Sequence, residues 1–445
     1  GLVNAGKIAG GASGYGGSEG YFESDGRGGA GAAGGAGVRL IAGGDILNTG
    51  TVQGGQGGQG HYAYDSGGHG GDGGAGIFLV AGGAVVNRGL IAGGAGGQGG
   101  ANHRHRYAPS GADGAGIYAG PGGAVTVTNA GTIVGQVNSV VFASSGDTLI
   151  AEAGAQFVGA VIGGGGALVL AGGTGVLTGL GGAGQLSGDV TAAFSGFGSY
   201  EIGGGARWSL SGTNALAAGQ RLTVDGVATV GGALAEAAAA TITVAAGGAL
   251  KFVGGPAQSL AGAVVNNGQI LVQGTTLALT GTVNGFGQAR IDGGVLEALT
   301  VFEQNVAFVG GSGVLELSQS RTYFATVSGF AAGGQDVLDL LDIKFTGAGE
   351  ATFSGSASGG FLTVNDGTHT AQIRLSGDYT GDSFVAASDG QGGVAITVVA
   401  GGAPSIHPFV AAMAGLGAAA GTSHIPAEVR SDHRPALLAP RALTA

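Results

Sequence analysis

Four short segments of this 445-residue chain carry one pattern, Asn-x-Gly-x-(Ile/Val)-x-Gly, at spacings of 44, 39 and 42 residues. They are Asn4-Ala-Gly-Lys-Ile-Ala-Gly, Asn48-Thr-Gly-Thr-Val-Gln-Gly, Asn87-Arg-Gly-Leu-Ile-Ala-Gly and Asn129-Ala-Gly-Thr-Ile-Val-Gly, with a weaker copy at Asn266-Asn-Gly-Gln-Ile-Leu-Val. A period of this length marks a chain that stacks one supersecondary unit on the next. A short apolar run precedes each of the later three: Val38-Arg-Leu-Ile, Ile77-Phe-Leu-Val and Ile117-Tyr-Ala. Such units predict strands of about four to six residues, broken at corners by glycines that tolerate positive φ. One unit cannot bury its own apolar face, so equivalent strands pair from unit to unit in long parallel sheets. The recurring asparagine is expected at one corner, where stacked side-chain amides bond to each other and to the turn backbone.

Composition sharpens this reading. With 106 glycines and 8 prolines the chain is about one quarter Gly plus Pro, a level at which an aperiodic sequence is low-complexity. Apolar content of 44%, charged content of 10% and a mean hydropathy of +0.35 point instead to a chain that packs. Glycine does not fall at every third residue and proline is scarce, which excludes a collagen triple helix. Glycine this dense, at about 1 kcal/mol per interior position, excludes a helical bundle. A net charge of −11 argues against nucleic acid or an anionic membrane as partner. The absence of cysteine removes disulfides, thiolate metal sites and cysteine nucleophiles. No uninterrupted apolar run reaches 18 residues, so no transmembrane segment is expected.

Along the chain, glycine-rich repeats with inserted loops occupy 1–135, and a less regular continuation occupies 136–329. Around Phe330 alternating runs such as Phe361-Leu-Thr-Val-Asn-Asp-Gly and Thr370-Ala-Gln-Ile-Arg-Leu begin, and Asn365-Asp366-Gly367 reads as a hairpin turn. Residues 330–400 are therefore expected to form a β-rich capping module, because a stack of parallel strands ends in unpaired edges. Residues 401–445, with five prolines, read as a mobile tail in which only His407 to Ala420 has a helical pattern. The expected fold is all-β: a right-handed single-stranded parallel β-helix, or solenoid, with a C-terminal β-rich cap and a mobile tail.

The Asn-x-Gly-x-Ile-x-Gly units resemble the passenger regions of bacterial autotransporters. The segments Thr326-Val-Ser-Gly-Phe, Asp336-Val-Leu-Asp-Leu, Leu362-Thr-Val-Asn-Asp-Gly and Phe384-Val-Ala-Ala-Ser-Asp-Gly are similar to the C-terminal module of secreted α-proteobacterial repeat proteins. The resemblance implies a right-handed β-helix exported to the cell surface, adhesive or structural in role. The pattern departs from the autotransporter family in lacking a run of amphipathic strands for a translocator barrel. Calcium-binding nonapeptide repeats are absent too, since Gly70-Gly71-Asp72-Gly73-Gly74 has the wrong spacing.

The candidate chemistry sits in the glycine-rich insertions. They carry Tyr15, Tyr21 and Phe22 in the first, His61, Tyr62, Tyr64 and His69 in the second, and His103, Arg104, His105, Arg106 and Tyr107 in the third. Occurring at one phase of successive units, these residues are expected on one side of the stack. Aromatic faces beside hydrogen-bonding groups suit sugars, and Tyr with Arg suits protein interfaces; the competing reading is solvated loops with no ligand. The histidines have no metal-ligand spacing beyond His103-x-His105, so neither metal nor cofactor is assigned. Gly55-Gln-Gly-Gly58-Gln-Gly60 matches a dinucleotide fingerprint without the strand-to-helix setting that gives it meaning. Acids of the body, including Asp45, Asp147, Glu152, Asp189, Asp225 and Asp292, share no repeating phase, so no catalytic pair is assigned. Trp208 reads as packing. The function expected is a non-enzymatic secreted or cell-surface structural or adhesive protein, self-assembling or binding surface glycans or proteins. A carbohydrate-binding or polysaccharide-processing protein acting through the same Tyr/His residues is the alternative.

Overall fold

A computed structural model describes residues 1–17 and 26–401. Among the described residues the chain is all β, with no α-helix and a single 3₁₀ turn at Ser320–Thr322. The strands align in three long columns. The first column, eleven strands from Leu2–Asn4 to Val283–Asn284, is parallel throughout, each strand pairing with its equivalent in the next unit. Period-2 alternation explains its packing: Ile46, Val85, Val127, Leu149, Leu168, Tyr200, Leu222, Ile242 and Val264 occupy one register and all are buried. The second column runs through Lys7–Ala9, Thr51–Gln53, Leu90–Ala92 and Thr132–Phe142 down to Thr326–Ser328. The third is parallel from Thr213–Leu216 to Val337–Leu340.

The repeated asparagine stands where its spacing places it. Asn4, Asn48, Asn87 and Asn129 share one register and are all buried. Each Nδ2 donates to the Oδ1 of the next: Asn4 to Asn48, Asn48 to Asn87 and Asn87 to Asn129, each at 2.8 Å. Nδ2 of Asn87 also reaches the Thr132 carbonyl, and its Oδ1 takes the Gly89 N–H two residues on, an Asx turn. Every polar atom of a buried amide is thereby used, which is what lets a polar residue lie in this corner. Asn266 makes the same turn bond to Gly268 N–H, with Gln304 as its side-chain partner.

Corner glycines turn out to be of two kinds. Gly43 and Gly82 have φ of 83° and 79°, the left-handed conformation expected of a corner. Gly50, Gly89 and Gly131 in the Asn-x-Gly turns do not; a Cβ on each would overlap the backbone of the turn stacked on it, at Gly6, Gly50 and Gly89 respectively. There the constraint is proximity of main chain to main chain.

The glycine-rich insertions are the largest departure from expectation. They are not loops. Gly54–Gly76 and Gly93–Gly116 each run out from the stack and return, residues 10–17 and 26–37 of the first insertion lie along them, and hydrogen bonds recur at every third residue. On the outgoing arms Gly10, Ser13 and Gly16 donate to Gln53, Gln56 and Gln59, and Gly54, Gly57 and Gly60 donate to Ala92, Ala95 and Gln98. On the returning arms Gly31 and Gly34 donate to His69 and Asp72, and Gly70 and Gly73 to Pro109 and Ala112. A second set crosses between outgoing and returning arms: Gly55 to Gly35, Gly58 to Ala32, Gly74 to Gly55, Gly71 to Gly58 and Gly97 to Gly71. Three residues per turn is the period of polyproline II. In a Gly-Gly-x triplet the first glycine bonds to the next unit, the second bonds across, and the third points outward: Gly54, Gly55, Gly57 and Gly58 are buried, Gln56 and Gln59 exposed. The result is a two-layer slab of extended arms, with no positive φ among its described residues except at His105.

The slab also accounts for the change of period after Gly135. In the fourth unit the second and third strands, which flank each earlier insertion, are continuous as one strand, Thr132–Phe142; it pairs with Leu90–Ala92 at one end and Ile117–Ala119 at the other. With the insertion gone the unit shortens to about twenty residues, as in Leu222, Ile242 and Val264 of successive strands. Towards the C-terminus the order becomes antiparallel: Ala351–Ser356, Gly359–Asn365 and Thr370–Ser376 form a meander, with the hairpin turn after Asn365 as expected. Ser383–Ser388 and Val394–Val399 form a hairpin that pairs with Val337–Leu340. Trp208 is buried, its Nε1 donating to Gly172 O. The expected tail and its His407–Ala420 stretch lie outside the described residues.

Two outcomes follow for stability. Asn87→Ala removes the bonds to Asn48 and Asn129 together with the turn bond from Gly89 N–H, and is expected to lower unfolding free energy by about 2 kcal/mol; a change below about 0.5 kcal/mol in chemical denaturation contradicts the ladder. Gly58→Ala places a methyl on the Gly14 carbonyl and Gly71→Ala one on that of Ala32. Both are expected to open the slab to proteolysis within 54–76, whereas Gln56→Ala, exposed in the same arm, leaves it resistant.

Candidate functional site

Three-residue periodicity decides where each candidate side chain goes, because successive residues of an extended arm point about 120° apart. Tyr15 occupies the outward position of its triplet, stacked above Gln59 and Gln98, and is 76% exposed on the broad face of the outgoing layer. His69 occupies the outward position of a returning arm, above Pro109, and so belongs to the opposite face. The two layers of the slab lie between them, so these two do not share one patch. Tyr21 and Phe22 lie outside the described residues.

The remaining candidates meet at the tip, where the second and third arms reverse. Seven or eight residues of extended arm carry this tip roughly 20 Å from the strands. The reversal of the third arm is held by Asn102. Its Oδ1 accepts the N–H groups of Arg104 at 3.0 Å and Arg106 at 2.9 Å, its N–H donates to Arg106 O, and its Nδ2 donates to Asp65 O of the neighbouring tip. His105, inside this turn, has a φ of 54°. Such a conformation is sparsely populated for a non-glycine residue and persists where its surroundings fix it.

Across the two tips the rings of Tyr64 and His103 stack, with centroids 4.1 Å apart and planes within 7°. The Nδ1 of His103 bonds to Tyr64 O, while its Nε2 lies 3.2 Å from Arg104 Nε. Guanidinium nitrogen is always a donor, so Nε2 is the acceptor and the imidazole proton sits on Nδ1, directed at the Tyr64 carbonyl. His61 Nδ1 meets Tyr62 O at 2.6 Å. Three tyrosines remain open to solvent around this stack: Tyr62, Tyr64 and Tyr107 are 47%, 57% and 73% exposed.

Where the second and third arms reverse, the tip thus offers exposed phenol rings, a stacked imidazole and the cations of Arg104 and Arg106, beside the acid Asp65, on a chain of net charge −11. Hydroxyl-rich and anionic groups are what such a surface recognises: ring faces take C–H edges, guanidinium takes carboxylate or sulfate. Among the described residues no group of three or more His, Asp or Glu side chains is placed to hold a metal ion. Asn102 is the positioning residue that residue type alone missed. An asparagine two residues before Arg104 and four before Arg106, ahead of a reversal, was the available signal.

Asp147 and Asp189, two acids of the body, serve turns: Asp147 Oδ1 accepts Val125 N–H and Oδ2 accepts Ser144 N–H, and Asp189 accepts from Thr174. Burial pushes the Asp147 carboxyl up, against the hydrogen bonds that lower it. No helix among the described residues is long and apolar enough to cross a membrane. The chain matches no known protein family, and no curated protein matches it either.

Removing the tip keystone gives a direct check of this geometry. Asn102→Ala is expected to release His105 from its positive φ and to weaken the Tyr64–His103 stack, read as loss of the ring-current shift on the His103 side-chain protons. Unchanged shifts contradict Asn102 as the residue that positions the tip.

Proposed function

We propose that this chain is a right-handed parallel β-helix displayed at a bacterial surface or secreted from it. In this reading it binds carbohydrate without turnover through the tip of its slab. The observation that carries this is the tip itself: Tyr62, Tyr64, Tyr107, Arg104 and Arg106 gathered at the far edge of two layers of mutually hydrogen-bonded backbone. A binding surface on a pre-ordered support loses little conformational entropy on association. The stacked parallel columns support the β-helix, and the resemblance to exported repeat proteins supports the location and adhesive role.

Charge favours an acidic polysaccharide. On an acidic protein, Arg104 and Arg106 concentrate positive charge where tyrosine rings are exposed, and bidentate guanidinium contacts select carboxylate and sulfate. Titration with uronic-acid and sulfated polysaccharides is expected to give saturable binding that weakens with salt. Tyr64→Ala, Tyr107→Ala and Arg104→Ala are each expected to weaken it about tenfold, the loss of one good contact. Binding unchanged in all three variants rejects the tip as the site, and an unsaturated or shortened product rejects the non-enzymatic reading.

A further inference from the structure

Away from the slab, three adjacent parallel strands carry an acid at the same place: Val295-Leu-Glu297-Ala, Val314-Leu-Glu316-Leu and Val337-Leu-Asp339-Leu. Register puts Glu297 beside Glu316 and Glu316 beside Asp339, at the inter-strand spacing of about 4.8 Å. The flanking leucines Leu296, Leu315, Leu338 and Leu340 fill the core, so the acids share the other face. At the last two strands that face is covered: Glu316 and Asp339 are 8% and 6% exposed.

The closing hairpin brings a fourth acid. Asp389 lies in the turn between Ser383–Ser388 and Val394–Val399 and is 7% exposed. Its Oδ1 accepts the N–H groups of Gln391, Gly392 and Gly393 at 2.6, 2.8 and 2.9 Å. A Cβ on Gly393 would crowd Asp389 Oδ2 and Leu340 O, which places this turn tightly against the end of Val337–Leu340. Two carboxylate oxygens in the cluster, Asp339 Oδ1 and Asp389 Oδ2, are buried with no hydrogen-bond partner. Asp336, at the start of the same strand, is buried with Oδ2 unpartnered as well.

Among the described residues no base is paired with them. The ion pairs among the described residues are Arg321–Asp342 and His369–Asp366, and the hairpin strands Ser383–Ser388 and Val394–Val399 contribute no titratable side chain. Like charges this close in a covered site cannot all ionise. A carboxyl that keeps its proton loses the charge and gains a donor for a neighbouring bare oxygen.

We propose that this acid ladder is a proton-operated latch: bound protons let the hairpin Ser383–Val399 seat on the strand Val337–Leu340, and their loss at alkaline pH loosens that seam and bares the strand edge. Burial, then the neighbouring charges of Asp389 and Glu316, pushes Asp339 up to about 8. Burial, then Glu297 and Asp389, pushes Glu316 up to about 7. The sign follows from linkage. Raised carboxyl groups hold protons in the folded chain that the unfolded chain releases above its ordinary carboxylate range. Their contribution to stability is therefore greatest at acidic pH and is lost as pH rises through about 7 to 8.

Amide-exchange protection of Val394–Val399 and Val337–Leu340 across the pH range tests this on the intact chain, with Arg221–Val224 as internal reference. Protection at the seam is expected to fall about tenfold more than at the reference between about pH 6 and about pH 9. In the near-isosteric double variant Glu316→Gln with Asp339→Asn that excess fall is expected to vanish, and each single variant to reduce it. Seam and reference moving together in the wild-type chain, or an undiminished fall in the double variant, overturns the latch. Protection restored at alkaline pH by millimolar calcium overturns it equally, because the ladder would then be a seat for a cation.

Discussion

Everything in the N-terminal part of this structure depends on how closely one main chain can lie against another. Stacked units repeat at the spacing of paired strands, about 4.8 Å, and where strands pair the side chains stand clear of the contact. At turns and in the slab they do not, and a Cβ falls on a neighbouring carbonyl, as at Gly50 against Gly6 or Gly58 against Gly14. Glycine is there because it is small. The same proximity gives every excluded side chain a replacement: a backbone N–H to the next unit at Gly54 and one to the other layer at Gly55. A segment with no apolar side chains to bury thereby acquires order from hydrogen bonds that water cannot easily reach.

The asparagine ladder and the acid ladder are opposite solutions to one geometry. Stacking in register puts identical side chains next to each other. An amide, donor at one end and acceptor at the other, turns that into a chain of bonds, Asn4 to Asn48 to Asn87 to Asn129. A carboxylate is acceptor only, so the same stacking at Glu297, Glu316 and Asp339 creates repulsion and a demand for protons. The first fixes the register of the units; the second makes the C-terminal seam responsive to its surroundings.

Much of this was legible in the residues. The Asn-x-Gly period gave the corner and its bonding, the alternating runs gave the strands, and Asn365-Asp366-Gly367 gave a hairpin where one is found. The slab was misread because glycine was weighed for its freedom of φ, and as flexible connection, when its triplet phase in Gly54-Gly55-Gln56-Gly57-Gly58-Gln59 carried the arrangement. That error also scattered the site: Tyr15 and His69 go to opposite faces because one stands on an outgoing arm and the other on a returning arm, which a count of units cannot reveal. The acid ladder was passed over for another reason. Its Val-Leu-acid copies are 19 and 23 residues apart, beyond the reach of the longer period set by the insertions.

The central claim is that the glycine-rich segments are ordered arms with a three-residue hydrogen-bond period, and amide exchange resolved by NMR along 54–61 tests it most directly. The account predicts slow exchange at Gly54, Gly55, Gly57, Gly58 and Gly60, each with a backbone acceptor, and fast exchange at Gln56 and Gln59, which have none. Uniformly fast exchange across the segment would contradict it.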